Sequence, residues 1–150
     1  MIRKASSADI KAVHKLVNEF AKRQKMIPRS LHELYETVRD LYLYDEGGRI
    51  KAACALHILW EDLAEIRSLA VNKDSQGKGV GTALVRKCLK EAKSLGVKKV
   101  FALTYNPEFF LKLGFGHIDK SALPQKIWGD CLRCPRFPEC DEHAVIYRFR

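Results

Sequence analysis

Between an apolar run, AEIRSLAV, and a basic amphipathic stretch, TALVRKCLKEAKSLG, the chain places QGKGVG, with glycines on alternate positions at Gly77, Gly79 and Gly81. A strand that ends in a glycine-rich turn and feeds straight into a long helix leaves few architectures open. The turn exposes consecutive backbone N–H groups, unshielded by side chains, at the positive end of a helix dipole, and such a turn binds phosphate. Two familiar phosphate loops fail on spacing. A P-loop needs Lys-Ser/Thr directly after its last glycine, and here Gly81 is followed by Thr82 and Ala83. The dinucleotide fingerprint G-x-G-x-x-G has different spacing and needs an acidic residue at the end of the following strand, where FALTYN offers none.

The rest of the chain reads as alternating elements without repeats or a linker. Ile2–Ala5 is a short strand. SSAD (Ser6–Asp9) is a capping box opening a helix with Ile10, Val13, Leu16, Val17 and Phe20 on one face. SLHE (Ser30–Glu33) caps a second helix. LYLYDEGGRIKAACALHILW is a hairpin turning at Gly47-Gly48, and AEIRSLAV is the next strand. The long helix buries a stripe of Val80, Leu84, Cys88, Leu89, Ala92 and Leu95, and Gly96 stops it. VKKVFALTY (97–105) is an apolar strand suited to the middle of a sheet, NPEFFLKLGF a short helix, and HAVIYRFR a last strand. The order β-α-α-β-β-β-α-β-α-β predicts one α/β domain over residues 1–150, with a mixed central β-sheet flanked by helices.

Composition bounds the partners. At 150 residues the chain can bury a core without disulfides or metal. No apolar stretch is long enough to span a membrane, and MIRKASSADI lacks the apolar core of a signal peptide, so a cytoplasmic location is expected. The net charge of +9 invites a nucleic-acid partner. Its distribution argues against one, because residues 72–99 hold eight basic residues against two acidic ones, gathered around the glycine turn. A field focused on one turn suits a small polyanion.

Q-x-x-G-x-G after a strand ending in LAV resembles the acetyl-coenzyme A motif of the GNAT superfamily of N-acetyltransferases. The resemblance extends to the element order, the strand VFALTY and the late FFLKLGF, and so covers nearly the whole chain. It implies that acetyl-coenzyme A is the co-substrate, with its pyrophosphate on Gln76, Gly77, Lys78, Gly79, Val80, Gly81 and Thr82. It also implies a bulged strand whose main chain, from Leu69 through Ala70 to Val71, holds the thioester and pantetheine, and an Asn106 that touches the coenzyme arm. A narrower likeness joins IPRS, AEIRSLAV and VFALTY to the acetyltransferase domains of N-acetylglutamate synthases. The tail LPQKIWGDCLRCPRFPECDE is similar to short, stand-alone forms without the amino-acid-kinase domain. The resemblance thus implies acetylation of an amino-acid α-amine, with glutamate favoured, by direct attack on the thioester. A homodimer is compatible with the sequence.

Amine attack on a thioester needs a proton acceptor, oxyanion stabilisation and a leaving thiolate. Glu65, eleven residues before Gln76, matches the spacing of the catalytic glutamate in some GNAT enzymes, with His57 or a water relay as alternatives. The superfamily's thiolate-protonating tyrosine is replaced by Phe110, beside Phe109, so Tyr105 substitutes only if it faces the cleft. Arg29 and Arg67 are the candidate clamps for acceptor carboxylates, and Arg67 shares a strand face with Glu65. Cys54 and Cys88 read as buried thiols. Cys131, Cys134, Cys140 and His143 have a Cys-x-x-Cys start, which leaves structural zinc, a reversible disulfide and reduced thiols all open, and no metal is assigned to the site. Two rivals remain: a GNAT enzyme for another small-molecule or protein amine, and a basic zinc-bearing nucleic-acid binder. The second would show exposed aromatics among its lysines, whereas most Phe and Tyr here fall in core-like patterns.

Overall fold

The Gly47-Gly48 turn and the apolar alternation around it produce a hairpin, and further strands pair on both of its edges. The computed structural model describes residues 1–23, 28–123 and 142–150. In chain order these form β1 (Ile2–Lys4), α1 (Ile10–Lys22), α2 (Leu31–Glu36), β2 (Leu41–Glu46), β3 (Arg49–Trp60), β4 (Leu63–Val71), α3 (Val80–Ser94), β5 (Lys99–Thr104), α4 (Pro107–Leu111), β6 (Gly116–Ile118) and β7 (His143–Arg148). The strands make one seven-stranded sheet in the order β1-β2-β3-β4-β5-β7-β6. It is mixed: β4 and β5 run parallel, as a strand–helix–strand crossover through α3 requires, and every other pair is antiparallel.

Side-chain alternation across the sheet builds three apolar clusters, two of which pack helices against it. On one face Ile10, Val13, Leu16 and Val17 of α1 pack with Leu34 of α2 on Leu41, Leu43, Ala53, Ala55 and Ala70. Each valine, leucine or isoleucine among them contributes roughly 1.5–3 kcal/mol by leaving water. On the other face Leu84, Val85, Cys88 and Ala92 of α3 cover Cys54, Leu56, Ile66 and Val100. Cys54 and Cys88 are fully buried free thiols with their sulfurs 3.7 Å apart, and the contact together with burial raises the Cys54 pKa well above the ordinary thiol value. The predicted box at Ser6 is present and leads through a 3-10 turn, Ser7–Asp9, into α1. There the Arg3 guanidinium binds Asp9 through Nη1 at 2.8 Å and Nη2 at 3.0 Å, and holds its carboxyl far below the usual carboxylate range. This pair ties the start of α1 to the edge of the sheet.

Three readings of the sequence need correction. Leu95 is 58% exposed, because α3 ends at Ser94 and Gly96 reverses the chain with φ +82°. Gly96 N–H bonds Lys93 O and Val97 N–H bonds Ala92 O, a Schellman arrangement that buries Val97 in place of Leu95. The strand after it covers 99–104 rather than 97–105. The three residues of β6, too few to show an alternation, add a strand beside β7 that the sequence did not signal.

Candidate active site

The site begins with a strand pair that parts. β4 and β5 share only three register pairs, Leu63–Lys99, Ala64–Val100 and Glu65–Phe101. Past these, β4 stays with β3 as far as Val71–Ala52, and β5 stays with β7 as far as Thr104–His143. Two strands that keep their outer partners but lose each other open a V in the middle of the sheet. A bulge turns β4 away: Ser68 and Leu69 stand opposite the single residue Cys54, and Ser68 takes the left-handed φ of +57°. For a non-glycine residue that conformation costs roughly 1–3 kcal/mol.

The opening is a cleft of about 790 Å³, within the range of small-ligand sites. Ile66, Arg67, Ser68, Leu69 and Val71 form one wall, and residues 102–106, from Ala102 to Asn106, form the other. Phe109 and Phe110 of α4, Phe20 of α1 and Glu142 complete it. At the rim lies the glycine turn, contributing Gln76, Gly77, Gly79, Val80, Gly81 and Thr82.

The turn has the conformation the spacing demands. Gly77 and Gly79 have φ of +76° and +80°, and a Cβ on either would project into open space rather than protein. The first helical bond of α3 runs from Ala83 N–H to Gly79 O at 3.0 Å, so the amides of Val80, Gly81 and Thr82 have no intrahelical acceptor. Gln76 braces the turn: its side-chain amide donates to Val71 O at 3.0 Å. Asn72 N–H bonds Lys51 O at 2.7 Å, so the ladder alternation turns Val71 N–H away from β3, toward the cleft. A row of unsatisfied amides at a dipole's positive end can hold a pyrophosphate, and a main-chain N–H beside it can face a thioester.

The proposed chemical residues separate in space. Arg67 lies on the cleft wall, donating through Nε at 3.1 Å and Nη2 at 2.9 Å to Oε1 of Glu65. Their shared strand face is therefore a direct contact. Glu65 is buried, 3% exposed, and is not among the lining residues. His57, its register partner across β3 and β4, also lies off the wall and binds Asp40 Oδ2 through Nδ1 at 2.6 Å. Tyr105 does line the cleft, whereas Phe110 has no proton to give. Arg29 lies off the wall, paired with Glu33 at 3.3 Å. Its backbone is clipped to α1 by Asn18, whose side-chain amide donates to Arg29 O and whose Oδ1 accepts from Arg29 N–H. Lys78 is exposed on the turn without lining the cleft, and Ala70 is buried on the α1 face. Cys131, Cys134 and Cys140 lie outside the described residues; His143 opens β7 and is exposed.

Sequence reasoning missed Ser68, Thr104 and above all Glu142, a cleft-lining carboxylate only 5% exposed. Its one sequence signal is an acidic residue immediately before the apolar run HAVIY.

The sequence profile of the Acetyltransferase (GNAT) family matches residues 10–115, a span that holds both parting strands and the glycine turn. The chain belongs to the GNAT acetyltransferase family. As a GNAT acetyltransferase it uses acetyl-coenzyme A as co-substrate. It is 39% identical to an uncharacterised N-acetyltransferase of Chlorobaculum tepidum over 97% of this chain and 94% of that one. It is 32% identical to the amino-acid acetyltransferase of Mycobacterium tuberculosis over 89% of this chain and 78% of that one. Among solved structures, a Mycobacterium tuberculosis protein in complex with CoA and NLQ superposes with a TM-score of 0.86 at 26% identity, covering 100% of this chain and 99% of that one.

Proposed function

We propose that this GNAT acetyltransferase transfers the acetyl group to the α-amine of a free amino acid, with L-glutamate as acceptor, so making N-acetylglutamate for arginine biosynthesis. The observation that carries this reading is Arg67, a guanidinium on the cleft wall anchored by a buried carboxylate. Such a group recognises carboxylates and repels polyamines. The relative named amino-acid acetyltransferase supports the same class. In this reading the turn from Gln76 to Thr82 holds the pyrophosphate and Asn106 flanks the coenzyme arm. The Val71 amide faces the carbonyl oxygen that becomes negative during attack. Arg67 holds the acceptor's α-carboxylate, and Arg29 meets the second carboxylate of glutamate. Tyr105 returns a proton to the departing thiolate, a role that Phe110 cannot fill.

The test is the rate of coenzyme A release with acetyl-coenzyme A and a panel of all amino acids, putrescine and a peptide N-terminus. Glutamate should show the highest kcat/KM and putrescine none. Preference for putrescine or the peptide overturns the acceptor reading and leaves the family assignment intact.

A further inference from the structure

Among the described residues, Arg67 and Glu142 are the basic and acidic side chains that line the cleft, on opposite sides of it. Glu142 directly precedes β7, whose His143 is in register with Thr104, so one further step of that ladder brings Glu142 level with Tyr105. It thus belongs to the β5 side, across the opening from Arg67 on β4. A free α-amino acid is a zwitterion, and a cleft with a guanidinium on one wall and a carboxylate on the other matches both its ends. Glu65 is placed differently. It is committed to Arg67 through Oε1 and does not line the cleft.

We infer that Glu142 receives the acceptor's ammonium group and takes its proton, and that Glu65 is a positioning residue that fixes Arg67 for the acceptor's carboxylate. This rests on the amino-acid reading above. The ammonium gives one proton to Glu142, and the freed lone pair attacks the thioester carbon. The carbonyl electrons move to oxygen as the C–N bond forms. On collapse the C–S bond breaks and the thiolate leaves with its electron pair. The nitrogen's second proton ends on that sulfur, and Glu142 returns its proton to solvent. The products are the amide, coenzyme A and one proton.

Initial rates of the full chain with acetyl-coenzyme A and saturating L-glutamate, measured across neutral to alkaline pH, test this. Glu142→Gln should lower kcat by about 10²–10⁴-fold near neutrality, and the loss should shrink as pH rises and the free amine becomes abundant. Glu65→Gln should instead raise the KM for glutamate and keep the wild-type shape of the kcat profile. The rise in Tm produced by coenzyme A reports a folded cleft in each variant. Should Glu142→Gln lack it, Glu142→Asp replaces it: the carboxylate, withdrawn by one methylene, should lose about tenfold in kcat with coenzyme binding unchanged. A Glu142→Gln enzyme within about threefold of wild type near neutrality overturns the assignment, as does a pH-rescued loss seen in Glu65→Gln instead. If the wild type ignores glutamate, the acceptor reading fails by itself. The same comparison on the amine it does acetylate then decides Glu142 separately.

Discussion

On the proposed reading Arg67 serves two carboxylates, that of Glu65 and that of the acceptor. Replacing it removes both contacts. Arg67→Ala should weaken acceptor binding by about 2–5 kcal/mol, raising the KM for glutamate well over tenfold while leaving that for acetyl-coenzyme A unchanged. Arg67→Lys should recover only part, because a point charge cannot reproduce the two-pronged contact through Nε and Nη2. Arg29→Ala should raise the KM for glutamate but spare that for glutamine, which lacks the second carboxylate. Steady-state kinetics on the three variants checks all of this. Strand alternation made the Glu65–Arg67 contact legible in the sequence, because residues two apart in a strand share a face. The same rule is silent on depth, so it could not show that Arg67 reaches the cleft while Glu65 stays off its wall. Glu142 was illegible for another reason. Its environment comes from a long-range ladder with β5, and nothing local to ECDEHAV signals that pairing.

At the scale of elements, the glycine turn was the most legible part of the chain, since φ values near +80° admit few residues other than glycine. Gly79→Glu should abolish the coenzyme-induced rise in Tm. It forces a side chain into left-handed backbone and points a carboxylate into the space that the proposed reading gives to the phosphates. A thermal shift equal to wild type would place the phosphates elsewhere. The end of α3 was half legible. Gly96 marked the stop, but periodicity continued one residue too far and counted Leu95 as core, because a Schellman end turns the chain before the stripe is complete. The bulge at Ser68 left no mark in the local pattern, and only the family resemblance implied a bulged strand there. A serine in AEIRSLAV reads as extended, and its positive φ is imposed by the two-against-one pairing with Cys54.

For the whole molecule, the list of elements was readable but the sheet order was not, since local pattern does not say which strands lie side by side. That order is what makes the site. β4 and β5 are sequence neighbours through α3, paired for three residues and then drawn apart by β3 and β7. The cleft between them brings the amides of the glycine turn together with Arg67 and Glu142, and the account's central claim is that both substrates meet there and the acetyl group passes directly. The thiols of Cys54 and Cys88 are fully buried and cannot carry it. Initial rates measured while both substrates are varied test this claim most directly. Intersecting double-reciprocal lines, with no release of coenzyme A before the amine is added, are predicted. Parallel lines with a burst of coenzyme A from enzyme and acetyl-coenzyme A alone would mean a covalent acetyl-enzyme and contradict it.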